Sequence, residues 1–93
     1  MDFIKLFNGV TDLVKPVSAS DSYAQSMDDN LTELGFDSLD HLMFAVYFGD
    51  IYGISEEVMR TVQAKTVREL QEYLEANKTK TPESVEAALE MVR

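Results

Sequence analysis

Phe3, Leu6, Phe7, Val10, Leu13 and Val14 recur at intervals of three and four residues, the spacing that gathers apolar side chains on one face of a helix. They predict an amphipathic helix over residues 2–14. Gly9 weakens it by about 1 kcal/mol relative to alanine, and Pro16 follows, as is common just past a helix end. Apolar positions then become sparse. Residues 16–30 are rich in Ser, Asp and Asn and predict a long loop. Leu31, Leu34 and Phe36 restore hydrophobic anchors before Asp37.

A second helix is predicted from about Ser38 to Tyr52, with Asp37 as its N-cap. Asp40 falls in the first turn, where the helix dipole favours negative charge by roughly 0.3–1 kcal/mol. The body of this helix is apolar on almost every side. Such a helix is either central in a bundle or keeps part of its surface for a partner. Gly53 supplies the stop. Ser55-Glu56-Glu57 opens a short third helix reaching about Val62. Thr66 and Glu69 make a capping-box pattern, and Val67, Leu70, Tyr73 and Leu74 form the stripe of a helix ending near Asn77. Lys78-Thr79-Lys80 reads as a polar linker that allows mobility. Thr81-Pro82-Glu83 predicts the start of a last helix, whose stripe is Val85, Ala88, Leu89 and Val92. Packing of that helix on the bundle is favoured over tethering or dimerisation. No segment predicts a strand, so the expected fold is all-α, a small antiparallel helical bundle.

Composition narrows the function classes. A chain of 93 residues buries only roughly 60–65% of its unfolded surface, which leaves little room for an enclosed catalytic pocket. The absence of cysteine excludes disulfides and thiolate metal ligands. The longest apolar stretch, Leu42 to Phe48, is too short to span a bilayer, and Met1-Asp2-Phe3 lacks the basic start of a signal peptide. A cytoplasmic monomer is the expectation. The net charge of −9 argues against nucleic acid and suits a protein that meets basic patches on other proteins. No Lys or Arg occurs between Pro16 and Met59, a stretch holding nine carboxylates from Asp21 to Glu57.

Two sharper chemistries fail on the residues. His41 lies one turn after Ser38, but no third group orients it and no oxyanion loop is recognisable; a hydrolase reading is set aside for a surface histidine. The acidic run from Asp28 to Asp40 lacks the ligand spacing of a calcium loop, for counting from Asp29 the third position is Leu31 and the glycine is misplaced. No catalytic residue and no metal site are expected.

The run Leu34-Gly35-Phe36-Asp37-Ser38-Leu39-Asp40 resembles the attachment motif of the acyl carrier proteins, in which Asp-Ser-Leu opens the second helix. Thr66 to Leu74 is similar to the last core helix of that family, at the expected distance. The resemblance covers residues 1–77; residues 78–93 would be a linker and an added C-terminal helix on a four-helix carrier-type bundle. It implies that Ser38 carries 4′-phosphopantetheine, installed from coenzyme A by a phosphopantetheinyl transferase, with Asp37 capping and assisting metal-dependent loading. The protein itself would then be no enzyme. Acyl-loading, acyl-transfer or condensing enzymes with basic docking patches would read Leu39, Asp40, Leu42, Met43, Val46 and Asp50. Phe44, Phe48 and Ile51 would line the space for an acyl chain. Met43 and Gly49 stand where fatty-acid carriers commonly hold glutamate, and Gly53-Ile54-Ser55 is a short connection. These departures imply a specialised carrier, for a secondary lipid or polyketide-like product. A peptidyl or aryl carrier domain and an unmodified interaction module with the carrier fold stay open as alternatives.

Overall fold

A computed structural model describes residues 2–93. Five α-helices, α1 (Phe3–Val14), α2 (Ser38–Tyr52), α3 (Glu56–Met59), α4 (Val67–Asn77) and α5 (Val85–Val92), pack as a small helical bundle. Among the described residues there is no strand; an isolated bridge pairs Asn30 with Thr66. No helix among the described residues is long and apolar enough to cross a membrane.

The apolar face of α1 buries Phe3, Leu6, Phe7 and Val10, and Asp2 caps the helix by accepting from the Lys5 amide at 3.2 Å. Phe7 stacks on Phe44 of α2 with ring centroids 5.2 Å apart, and Phe36 meets Phe44 edge-on at 4.7 Å. Phe3 stacks on Phe48 at 5.8 Å. Offset and edge-to-face pairs of this kind add about 0.5–1.5 kcal/mol each beyond area burial. The core is therefore an aromatic seam between α1 and α2.

The long first connection is more ordered than its composition suggests. It contains a 3₁₀ turn at Ala19–Ser22. The Asn8 side chain then clasps Ala24, donating to its carbonyl at 3.0 Å and accepting from its amide at 2.8 Å. Further on, the Leu31 amide donates to Lys65 O at 2.9 Å and the Arg68 amide to Met27 O at 2.8 Å. These bonds lay the loop along the start of α4.

Three sequence expectations are corrected. Helix α3 stops at Met59 rather than Val62, because Thr61 and Val62 close tighter bonds to Val58 O and Met59 O, three residues back. Helix α5 starts at Val85 with Ser84 as its cap, not at Thr81. The linker at 78–80 is not loose: the Thr79 and Lys80 amides both donate to Tyr52 O, at 3.0 and 3.3 Å, and the Thr79 hydroxyl donates to Gly53 O. They satisfy carbonyls that the end of α2 leaves open. Pro82 is buried as the chain turns into α5.

Helix α5 lies against α1 and α2 and adds Ala88 and Leu89 to the common core. The cost of Gly9 inside α1 has a reason here. A Cβ at Gly9 would stand 2.6 Å from Leu89 Cδ1, so the Leu89 side chain could keep its present seat on α1 only against glycine.

Candidate functional site

Asp37 is the N-cap of α2 and Ser38 its first helical residue. The capping is reciprocal: Asp37 Oδ1 accepts from the Asp40 amide at 2.9 Å, and Asp40 Oδ2 accepts from the Asp37 amide at 3.1 Å. The Asp40 amide's hydrogen bond, aided by the Leu39 amide and the charge of Lys15, holds the Asp37 carboxyl below the usual carboxylate range. Because Asp37 does the capping, Ser38 is left exposed at the first position of the helix.

Ser38 stands at the edge of a cleft of about 180 Å³. His41, Leu42, Phe44 and Phe48 of α2 form one side of it. Phe36 and Leu31 come from the preceding loop, and Met59, Val62 and Leu70 close the other side. Arg60 also faces the cleft, where it pairs with Glu56 at 3.0 Å. The walls are thus mainly apolar, with polar groups at Ser38, His41 and Arg60.

The structure brings most of the named residues together, with exceptions. Phe44 and Phe48 line the cleft; Ile51 does not, although it is fully buried. The cleft ends at Phe48, and Ile51 lies nearly a turn beyond it. Leu39, Leu42 and Val46 form an exposed apolar stripe at 67%, 48% and 38% exposure. Met43 is half-buried, and Asp50 is exposed. Asp40 is not a free surface charge, for its side chain is only 13% exposed and pairs with Lys15 at 3.4 Å. Among the described residues, no cluster of three or more His, Asp or Glu side chains is arranged to hold a metal ion.

Lys15 is the residue that pattern reading missed. It ends α1, and its Nζ donates to Gly35 O at 3.2 Å, pairs with Asp40, and lies 5.7 Å from the centre of the Phe36 ring. The signal available in the sequence is that Lys15 is the last cation before the stretch that has none. The far wall of the cleft carried no such signal, since α3, α4 and two connections contribute to it. No family model, no curated protein and no solved structure matches this chain.

Proposed function

We propose that this protein is an acyl carrier with 4′-phosphopantetheine esterified to Ser38, in a four-helix carrier-type bundle extended by α5. The observation that carries this reading is an exposed serine at the start of α2, relieved of capping by Asp37 and set at the rim of an apolar cleft. These residues fit the group. Backbone N–H groups and the dipole of a fifteen-residue helix favour an anion at that end, and the cleft beside it suits an apolar chain. In loading, Ser38 Oγ forms the new P–O bond while the P–O bond to the adenosine 3′,5′-bisphosphate of coenzyme A breaks, and the hydroxyl proton passes to solvent. When bound, the arm supplies a thiol that carries acyl groups as thioesters, chemistry absent from a chain without cysteine.

The chain's own residues divide the remaining work. Phe36, Phe44, Phe48 and Met59 exclude water from an apolar chain. A cleft of about 180 Å³ holds roughly six to eight carbon atoms, judged against an apolar cavity of about 150 Å³ that accommodates benzene. Leu39, Leu42 and Val46, with Asp50 nearby, present an apolar and acidic face to partner enzymes.

The test is intact mass after incubation with coenzyme A, magnesium and a broad-specificity phosphopantetheinyl transferase. A gain of one phosphopantetheine, absent in Ser38→Ala, supports the reading. No gain beside an active control carrier defeats it in favour of an unmodified interaction module. Amide shifts on passing from the loaded form to a hexanoyl form should then concentrate at Leu31, Phe44 and Leu70; shifts confined to residues next to Ser38 would rule out shelter in the cleft.

A further inference from the structure

We propose that Lys15 is the positioning residue for Ser38: it ties the end of α1 to the corner before α2 and holds the serine in the orientation in which it is esterified. This rests on the carrier reading above.

Phe36 seats the apolar side of this corner against Phe7 and Phe44; the polar side, where Ser38 stands, is held differently. Gly35 turns the chain with φ at +89°, and Asp37 and Asp40 cap each other across the first turn of α2. That capping box shapes the first turn of α2 but makes no bond to α1; Lys15 supplies the polar tie between the two. Its own backbone is anchored, the amide donating to Thr11 O at 2.8 Å. Its ammonium engages three parts of the corner at once: the Gly35 carbonyl, the Phe36 ring and the Asp40 carboxylate.

Burial separates this contact from the other ion pairs. Arg60–Glu56 and Arg68–Asp28 have both side chains more than half exposed, and pairs of that kind contribute little. The Lys15 and Asp40 side chains are 22% and 13% exposed, so the charges face each other with less intervening solvent. Charge balance points the same way. Asp37 and Asp40 already bring negative charge to this helix end, and a phosphodiester on Ser38 adds more. Lys15 offsets that crowding, and no residue from Pro16 to Met59 supplies another Lys or Arg.

The experiment compares wild type, Lys15→Met and Lys15→Arg as substrates of the transferase, with initial loading rates taken across a range of carrier concentration. Melting curves establish the folded fraction of each. The expected result is a kcat for Lys15→Met lower by about tenfold with KM not raised, and recovery of most of the loss in Lys15→Arg. A purely structural role has a different signature: partial unfolding lowers the concentration of usable carrier, raising apparent KM and leaving kcat at saturation unchanged. That outcome overturns the proposal, as do equal rates in wild type and Lys15→Met. A wild type that is not loaded at all instead overturns the carrier reading, and the role of Lys15 with it.

Discussion

The two ends of α2 solve the same problem in opposite ways. At the N-terminal end, local side chains satisfy the backbone: Asp37 and Asp40 cap each other, and Ser38 faces water. At the C-terminal end, a segment nearly thirty residues further along does it, with Thr79 and Lys80 closing on Tyr52 O and Gly53 O. Tyr52 there is only 1% exposed. One helix thus has a site end that solvent and partners can reach and an anchor end sealed against the bundle. Its uniformly apolar body follows from joining the two: half of it is core and the other half is cleft wall or exposed stripe.

Breaking the shared middle should have the largest effect. Phe48 is fully buried and stacks on Phe3, Phe7 and Phe44; Phe48→Ala should cost about 3–5 kcal/mol in denaturant unfolding. Next comes the anchor end. Gly53 has φ +66°, and a Cβ there would run into the side chains of Thr79 and Lys80. Gly53→Ala should cost about 1–2 kcal/mol from the left-handed backbone alone, and amide exchange at Thr79 and Lys80 should speed up with it. The site end should be the most tolerant. Ser38→Ala should stay within about 0.5 kcal/mol of wild type while abolishing phosphopantetheine loading.

The ends should also respond to opposite extremes of pH. The Asp37 carboxyl is held below its usual value of 3.8, chiefly by the Asp40 amide. Its contribution is present above that value and is lost as pH falls through the lower folded-state value. Asp37→Asn keeps the cap but should flatten this acid limb of the stability curve. Tyr52 is pushed from 10.0 up to about 12, first by burial and then by the charge of Glu75. The unfolded chain releases that proton first, so stability is undiminished below pH 10 and falls as pH rises towards 12. A late step in tyrosinate absorbance, absent in Tyr52→Phe, would mark it.

How much could be read beforehand follows the same division. The start and stop of α2 were legible because Asp37, Asp40 and Gly53 act within one turn of the residues they serve. The α1 stripe and Thr66 as the cap of α4 were legible for the same reason. The box at α4 is only half as expected, since Glu69 accepts from the Lys65 amide and not from Thr66. The start of α5 was misplaced because Thr79 and Lys80 bond to the end of α2 just before the local signal at Thr81, and Ser84, not Thr81, makes the capping bond, to the Ala87 amide. The clasp of Asn8 on Ala24 was invisible, because an asparagine on a helix does not announce a partner sixteen residues away. For the candidate site, the serine and its cap lay in one motif, whereas the opposing cleft wall and Lys15 depend on how separate elements meet.

The seat of Leu89 on Gly9 has a consequence for how the chain is made. A ribosome delivers α1 early and residue 89 some eighty residues later, an interval on the order of ten seconds at ordinary elongation rates. Throughout it the surface of α1 that α5 will cover stays open to water and to other chains. Core closure is therefore a late event in biosynthesis. Early-stalled nascent chains of this protein should be targets for holding chaperones, to a degree that the finished molecule is not.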